Sequence, residues 1–543
     1  MASGRLIFDV SGMALIEQPG GASTRPRPMG HHHLAAPRGA SRTSTELHMM
    51  KHWRSLPALL ALATGCTVSL DEAPTPGEHV SPLAVREGRS WEPCATTARL
   101  LADLAPGMTG SEPGELVHGD GVLFFTADDG VHGRELWSSS GPGGTGTFLV
   151  KDVFPGAGGA EPTDLTVAGG RVFFVAEDGV HGRELWVSDG TAVGTRLVKD
   201  IHPATTDLGP SELVELNGVV YFAANDGVNG RELWRSDGTS AGTFLVEDLY
   251  PGADIFSPDS PGSSFPRRLV RTPSALYFVA NVGEDVKLWR SVGLPGATPV
   301  FEAFEDNVIF RMTPVGANQV FFLVDPDEGE ADLWVTEGTL ASTRFLRFFP
   351  GRYPHDLTAF NGKLYFSAGK GTSGVDGDPE GEELWVSDGT VAGTKRFMDI
   401  YPGPGDSSPA GLSVMNGRLF FAADDGVSGR EPWVSNGTAS GTHLLKDLEP
   451  GAAGSAPTEL TPIKGTLFFS AETVGRGREP WLGDGTAAGT RPLTELAPGA
   501  SGSGPSGFIR SGWDVFFTAD EGVHGRELWS LPFRPEEHCA RGR

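Results

Sequence analysis

The residues of this chain that could do chemistry recur in a repeated stretch. In "GRELWVSDGT", Arg183 and Glu184 precede Trp186, and Asp189 opens an Asp-Gly turn. The tryptophan returns in nine copies, at Trp137, Trp186, Trp234, Trp289, Trp334, Trp385, Trp433, Trp481 and Trp529. A catalytic group is needed once per site, whereas these residues occur in most copies. The repetition therefore predicts a structural role for the motif rather than an active site.

Histidines are the next candidates, because they are good metal ligands. His132, His181 and His524 occupy the same "VHG" loop in the first, second and ninth copies. One metal ion needs its ligands within about 4 Å of one another, and equivalent loops of successive repeats lie farther apart than that. The pattern favours solvent-facing turn residues.

Carboxylates crowd two loops in which the motif has diverged, "DPDEGEAD" (325–332) and "GKGTSGVDGDPEGEE" (369–383). The candidate ligands for Ca²⁺, the only cofactor considered, are Asp325, Asp327, Asp376, Asp378 and Glu380. Hard oxygen ligands at alternating spacing suit this ion, although neither loop is an EF-hand. Solvated acidic loops are the alternative.

A second divergent segment is the linker "RFFPGRYPH" (347–355). It offers Arg347, Arg352, Tyr353 and His355 as candidate partner-binding residues. An insertion at 254–268 precedes the fourth copy, so copies four to six are expected to present a distinct patch on one face. Sequence drift without function is the alternative.

Recognisable enzyme motifs are missing from the sequence. It contains no H-E-x-x-H and no Gly-rich phosphate loop followed by a helix. A carboxylate pair for glycoside hydrolysis stays open, because the two residues can come from distant repeats. The sequence therefore favours a binding protein over an enzyme.

The elements that hold these residues are short strands. In the second copy they are read at 164–170, 171–178, 183–189 and 195–201, bounded by Gly, Asp and Asn. The tryptophans are about 48 residues apart, which is typical of the four-stranded blade of a β-propeller. We expect an all-β propeller of nine blades, or of eight if one degenerate copy lies outside the ring.

The two ends of the repeat region complement each other. Residues 97–107 resemble a fourth strand with no first three, while 507–533 supply three strands and lack the fourth. A closed ring explains this exchange, because the N-terminal strand completes the last blade. Cys94 and Cys539 flank the seam, and a disulfide between them would fasten it. Unpaired or intermolecular thiols are the alternative.

The copies resemble the ELWxxDGT repeat, found in exported bacterial proteins and lipoproteins. The match is close for Glu184-Leu185-Trp186 with Asp189-Gly190-Thr191, and for the copies around Trp234 and Trp385, while the copies around Trp289 and Trp334 diverge. The resemblance covers about residues 97–531 and implies architecture and export, since no activity is established for the family.

The N-terminal part contains targeting signals. Residues 1–48 are expected to be a disordered extension or the product of a misassigned start codon, and 49–65 a lipoprotein signal peptide. It ends in Ala63-Thr64-Gly65 before Cys66, the expected lipidation site. A flexible tether (66–96), the propeller (97–533) and a C-terminal tail (534–543) follow. An ordinary secretory signal is the alternative.

Charge limits the class of partner. The chain carries 43 Lys and Arg against 69 Asp and Glu, a net charge of −26, which excludes phosphate-driven binding of nucleic acid. We expect an exported monomer attached to the envelope, in the outer membrane, through a lipid only. The expected function is a non-enzymatic scaffold for protein or polysaccharide partners. The alternatives are a polysaccharide hydrolase or lyase and a calcium-dependent adhesin.

Overall fold

The structure, a computed structural model, describes residues 91–539 except 96, 108, 142–145, 204–207, 256, 259, 303–307, 326–329, 352 and 370–380. The predicted N-terminal extension, signal peptide and lipidation site at Cys66 lie outside the described residues. Two short strands come first, β1 (Trp91–Pro93) and β2 (Arg99–Ala102). The strands that follow form nine antiparallel sheets, one for each copy of the motif.

Each sheet is a blade of strands that follow one another in the chain. Blade one holds β3 (Gly114–Gly119), β4 (Val122–Asp128), β5 (Arg134–Ser139) and β6 (Thr147–Lys151). Blade two holds β7 (Thr163–Ala168), β8 (Arg171–Glu177), β9 (Arg183–Ser188) and β10 (Arg196–Lys199). Blade three holds β11 (Ser211–Leu216), β12 (Val219–Asn225), β13 (Arg231–Ser236) and β14 (Phe244–Glu247).

The divergent copies form complete blades as well. Blade four holds β15 (Arg267–Arg271), β16 (Leu276–Val282), β17 (Asp285–Ser291) and β18 (Thr298–Glu302). Blade five holds β19 (Val308–Val315), β20 (Gln319–Asp325), β21 (Ala331–Thr336) and β22 (Arg344–Phe349). Blade six holds β23 (His355–Phe360), β24 (Lys363–Ala368), β25 (Glu383–Ser387) and β26 (Lys395–Met398).

The remaining three blades return to the regular pattern. Blade seven holds β27 (Ala410–Met415), β28 (Arg418–Asp424), β29 (Arg430–Ser435) and β30 (Thr442–Leu444). Blade eight holds β31 (Thr458–Ile463), β32 (Thr466–Thr473), β33 (Gly477–Gly483) and β34 (Arg491–Pro492). Blade nine is built on β35 (Ser506–Ser511), β36 (Asp514–Asp520) and β37 (Arg526–Pro535), after which α1 (Glu536–Cys539) follows. Short 3-10 turns lie at Leu340–Ser342 and Ala439–Gly441. Among the described residues no helix is long and apolar enough to cross a membrane.

The second strand of each blade lies in the core because both of its faces are apolar. In "VFFVA" (172–176) every side chain is buried, as expected for a sheet packed between two others. Tight turns begin these strands: at Asn217-Gly218 both residues have positive φ, 56° and 80°. That conformation is easiest for Asn and Gly, and it suits the two-residue hairpin between β11 and β12.

The blades close into a ring. Within the described residues the buried apolar side chains form nine clusters, and each joins two successive blades. The ninth interface joins blade nine to blade one, where Phe516 and Leu528 pack with Phe125 and Trp137. An open row of nine blades would have eight interfaces. The prediction of a β-propeller is confirmed with nine blades, and the divergent copies lie inside the ring.

The two ends of the described region, 91–539, meet in blade nine. The N-terminal β2 pairs with β37 as its missing fourth strand, with Leu100 opposite Trp529. Cys94 and Cys539 form a disulfide. The predicted closure and the predicted disulfide are both confirmed. The structure adds β1, which lies in the segment expected to be a tether and pairs with the far end of β37, Trp91 opposite Pro535.

The first strands line the centre of the ring, where each contacts the first strands of its two neighbours. The propeller has two faces. The linker face carries the linkers from fourth to first strands and the loops between second and third strands; Gly133 of such a loop lies against Gly159 of a linker. The turn face carries the other turns: Arg171, beside the first turn of blade two, donates to the Asp237 carbonyl of a third-to-fourth-strand turn.

Candidate functional site

The repeated glutamate fastens the linker of its own blade. Glu232 is fully buried and accepts hydrogen bonds from the backbone N–H groups of Leu249 (3.1 Å) and Ser264 (2.7 Å). The same arrangement recurs at Glu135, Glu184, Glu383, Glu431, Glu479 and Glu527. Burial raises the pKa of Glu232 to about 7, while its hydrogen bonds act in the opposite direction. These carboxylates satisfy buried backbone donors, which explains their repetition.

The other polar residues of the motif are also engaged within their blade. Arg183 donates to the Glu161 carbonyl (3.1 Å) and to Thr163 Oγ1 (2.8 Å), at the start of the first strand. Asp189 accepts from the backbone N–H (2.9 Å) and hydroxyl (2.7 Å) of Thr191. Hydrogen bonds to Thr191 lower the pKa of Asp189 and keep it charged. The polar residues of the motif therefore stabilise the structure of their own blade.

The repeated tryptophans fill the spaces between blades. Eight of the nine are buried and Trp334 is half-buried. A cation from the preceding blade lies over several rings: Lys151 Nζ is 5.5 Å from the centre of Trp186. Arg347, a candidate partner-binding residue, occupies this position in blade five, with its guanidinium carbon 4.5 Å from the ring centre of Trp385.

The loop histidines brace their own loops. Nδ1 of His132 and of His181 each lies 2.7 Å from an aspartate oxygen, of Asp129 and Asp178 respectively. In each case the hydrogen bond to the aspartate raises the histidine pKa. His524 pairs in the same way with Glu521. Each histidine is thus paired with an acid of its own loop.

Blade six differs from the regular blades at the start of its first strand, β23. There His355 lies between two carboxylates, with Nδ1 2.9 Å from Asp356 Oδ2 and Nε2 against Glu382 Oε1. These two hydrogen bonds raise the pKa of His355 to about 9, so the imidazole is a cation at neutral pH. The imidazolium in turn lowers the pKa of Asp356, against the effect of burial.

Neighbouring groups fix this cluster. Ser367 Oγ donates to Glu382 Oε1 (2.9 Å), and Asp406 Oδ1 accepts from the Glu382 backbone N–H (2.7 Å). Arg430 of blade seven donates to the Ser408 carbonyl. Burial lowers the pKa of Arg430, and the nearby carboxylates of Asp356 and Glu382 act against that shift. Arg311 of blade five also acts on Asp356. Charges of alternating sign thus extend across three blades on the linker face.

The cluster replaces a regular contact. His355 in blade six takes the position that Thr163 has in blade two. The strand register shows this, because His355 lies opposite Ser367 and Thr163 lies opposite Val175. Glu382 stands where Arg183 stands, because "GEELW" replaces "GRELW". The contact between arginine and threonine in blade two is thus replaced in blade six by a contact between glutamate and histidine. The sequence prediction included His355 and missed Asp356, Glu382 and Arg430, although the loss of the repeated arginine was the available signal.

The predicted calcium ligands are only partly described. Asp325 Oδ2 accepts a hydrogen bond from the Tyr353 hydroxyl (2.6 Å), and the Tyr353 ring packs edge-on against Phe310. These contacts bring together two predicted site residues. The other candidate ligands Asp327, Asp376, Asp378 and Glu380, together with Arg352, lie outside the described residues. Within the described part of the chain no group of three or more His, Cys, Asp or Glu could hold a metal ion.

Blades four and five also differ in their exposed apolar side chains. Most regular blades expose a loop valine such as Val180, 69% exposed, and four bulkier side chains are exposed outside blades four and five: Phe148, Leu208, Phe244 and Trp513. Blades four and five, with the linker before them, expose six such residues: Ile255, Phe265, Leu294, Leu340, Phe345 and Phe348. Phe345 and Phe348 belong to β22, the outer strand of blade five, whose six residues make it longer than the four-residue β10 and β14. A long edge strand with exposed aromatics is a surface that other chains can pair with.

Comparison with known proteins gives no family and only distant structural similarities. No protein-family model and no curated protein matches the sequence. The β-propeller domain of the Trilobed protease from Pyrococcus furiosus, described as having an open velcro topology, is similar at 13% identity and a TM-score of 0.33, over 62% of this chain and 98% of that one. Oligopeptidase B from Leishmania major is similar at 11% identity and a TM-score of 0.37, over 66% of this chain and 53% of that one.

A structure from a study of two prolyl endopeptidases gives 14% identity and a TM-score of 0.35, over 66% of this chain and 54% of that one. The chain spans little more than half the length of these two peptidases. At these values the similarities supply no argument about what the chain binds or catalyses.

Proposed function

We propose that this chain is a non-enzymatic binding scaffold of the cell envelope, whose ring presents a partner-binding surface on blades four to six. One observation supports the proposal above others. The polar side chains of the regular blades are engaged in their own linkers and turns, as for Glu232 and Asp189. Blades four and five carry other residues at these positions, and blade six keeps Glu383 and Asp388 but replaces the repeated arginine with Glu382. The resemblance to exported ELWxxDGT-repeat proteins agrees with an envelope location.

The chemistry of this surface fits a protein partner. Phe345 and Phe348 are 41% and 42% exposed on the edge strand β22, and the charged cluster around His355 lies on the neighbouring blade. Aromatic side chains are enriched at protein interfaces. The two rings lie on an edge strand, whose backbone can pair with a strand of another protein, so a protein of the envelope is the partner that we propose for blades four to six.

Substitution on β22 tests the surface. Phe345→Ser/Phe348→Ser should abolish recovery of the protein partner from envelope extract, because the apolar contact is removed. Phe244→Ser is the matched control, since Phe244 lies on the outer strand of blade three and is also 42% exposed. Equal recovery by the double variant and the control would contradict the proposal.

The lipid anchor is tested separately. Cys66→Ala should release the protein from membranes into the soluble fraction, because a lipid attached at Cys66 is the proposed attachment. Cys94→Ser, which removes a different cysteine, should leave the fractionation unchanged. Retention of Cys66→Ala in the membrane fraction would contradict the anchor and leave the binding surface unaffected.

The hydrolase and the calcium-dependent adhesin remain alternatives with their own tests. An enzyme would use the carboxylates Asp356 and Glu382, both hydrogen-bonded to His355, and Glu382→Gln would abolish polysaccharide cleavage. An adhesin would lose its partner when calcium is chelated. We expect no cleavage and no effect of the chelator.

A further inference from the structure

A second candidate site lies at the seam of blade nine, where β1 and β2 meet β37. A pocket of about 580 Å³ opens there beside the disulfide, and its walls come from both ends of the chain. Glu92 and Arg99 come from the N-terminal side, and Arg534, Glu536 and His538 from the C-terminal side. The pocket therefore exists only in the closed ring. The end of β37 beside it takes the place of a third-to-fourth-strand turn, so the pocket lies on the turn face, opposite the cluster of blade six.

An exposed aromatic ring adjoins this pocket. Trp513 is 47% exposed and stacks on Trp91, with ring centres 5.8 Å apart and planes inclined by 25°. The ring of His538, which lines the pocket, lies 5.2 Å from that of Trp513. Trp513 belongs to the first turn of blade nine, where blade three has Gly218. The structure holds a large ring in place here, yet leaves nearly half of its surface in solvent.

Cations gather at the seam of a chain whose net charge is −26. The guanidinium carbon of Arg510 and Nζ of Lys464 lie over Trp91, 5.0 Å and 5.9 Å from its ring centre. Arg99 and Arg534 line the pocket itself, and Nε of Arg534 is buried without a hydrogen-bond acceptor among the described residues. The nearby Asp514 balances part of this charge, as both arginines act on its carboxylate.

The mixture of donors and acceptors limits the ligand. Arginine side chains only donate hydrogen bonds, and the carboxyl oxygens of Glu92 and Glu536 can accept them. A ligand that satisfies both kinds of group carries hydroxyl donors as well as an anionic acceptor. A sugar ring stacks on an exposed tryptophan through its C–H groups. A phosphate chain lacks hydroxyl donors on its anionic groups and so offers no hydrogen bond to the two glutamate side chains.

We propose that the seam pocket is a binding site for an acidic sugar, a uronate residue of a polysaccharide. Its ring lies on Trp513, its carboxylate pairs with Arg99 and Arg534, and its hydroxyls donate to Glu92 and Glu536. This site is separate from the protein-binding surface of blades four to six, so either can fail without the other.

Calorimetric titration of the chain, disulfide intact, with a galacturonate oligosaccharide tests the site. We expect measurable binding that Trp513→Ala and Arg99→Gln each weaken about tenfold. Trp513→Phe, which keeps a ring, should retain most of the affinity. Phe244→Ser and Arg271→Gln, which change an exposed ring and a half-exposed arginine far from the seam, should bind as the unaltered chain does. Reduction of the disulfide should weaken binding.

Three further ligands define the specificity. A neutral dextran oligosaccharide should bind much more weakly, because it has no carboxylate. Polyglutamate should bind weakly, because it has no sugar ring, and a single-stranded oligonucleotide should not bind. The proposal is overturned if the galacturonate oligosaccharide does not bind, if Trp513→Ala and Arg99→Gln leave its affinity unchanged, or if polyglutamate or the oligonucleotide binds equally well.

Discussion

At the residue scale, one side-chain type does two different jobs in this ring. Glu184 is buried and accepts from the backbone N–H groups of Ile201 (3.0 Å) and His202 (2.9 Å). Glu382 takes the position of Arg183, two residues before the leucine of the motif. It instead contacts His355, at the start of the first strand of blade six. The difference is one of position in the strand, because alternate residues point to opposite faces. The role of a glutamate in the motif therefore depends on its position in the third strand of the blade.

The buried glutamates make stability depend on pH. Burial raises the pKa of Glu135, Glu184 and Glu232 from 4.5 to about 7. The folded protein therefore holds protons that the unfolded chain releases, and this contribution to stability is lost as the pH rises through about 7. We expect a higher melting temperature at about pH 6 than at about pH 8.

Variants assign this effect to its residues. Glu184→Gln cannot titrate, so it should reduce the difference in melting temperature between the two pH values. Glu284→Gln, at an exposed position in blade four, should leave the difference unchanged. A larger difference in Glu184→Gln than in the unaltered chain would contradict the assignment.

At the element scale, the turn between third and fourth strands depends on a side chain folding back onto a glycine. A methyl group on Gly194 would overlap the Asp189 carboxylate, and the same holds for Gly242 with Asp237 and for Gly393 with Asp388. Each aspartate is held over its glycine by the following threonine, as Asp189 is by Thr191. The second glycine of "DGTxxGT" is therefore required by packing.

Substitution of that glycine should destabilise one blade. We expect Gly194→Ala to lower the free energy of unfolding by about 1–3 kcal/mol. Val193→Ala, at a neighbouring position that is 94% exposed, should be nearly neutral. In urea denaturation, Asp189→Ala/Gly194→Ala should lose less stability than the sum of its single variants, because the overlap is relieved. Simple additivity would contradict this account.

Sequence predicted these elements well and the candidate site only in part. Strand positions followed from alternating apolar residues and Gly turns, as the match of 171–178 with β8 shows. The pairing of His355 with Glu382 joins residues 27 positions apart and replaces a contact that is visible only once blades are superposed. Strand β1 was missed because three residues, Trp91–Pro93, are too short to show a period.

At the scale of the whole molecule, closure of the ring depends on blade nine. This blade has the long-range strand pairing that can open and the disulfide that holds it closed. Eight blades are continuous in sequence, whereas the ninth depends on the pairing of β37 with the N-terminal β1 and β2, and on the Cys94–Cys539 disulfide, which spans 445 positions. Glu527 adds to this join by accepting from the Ser111 backbone N–H (2.9 Å). Sequence predicted this closure because the missing strand at one end matched the surplus strand at the other.

Reduction should therefore weaken the whole ring. The chain-entropy model gives about 6 kcal/mol for a loop of this length, and measured contributions are usually smaller. We expect a lower melting temperature in reductant, together with faster proteolysis near β1 and β2. Cys94→Ser/Cys539→Ser should show the same decrease and no further response to reductant. An unchanged melting temperature would contradict a stabilising role for the bond.

The position of the disulfide also decides how the protein responds to force. A pull on the chain before Trp91 and after Cys539 acts first on the pairing of β1 with β37, and then passes from Cys94 to Cys539 through the sulfur–sulfur bond. The stretch of chain between them, with all nine blades, lies outside that path and is not stretched. When the bond is reduced, the same pull acts on the pairing of β37 with β1 and β2. In its oxidised form this ring is thus mechanically isolated from its own ends.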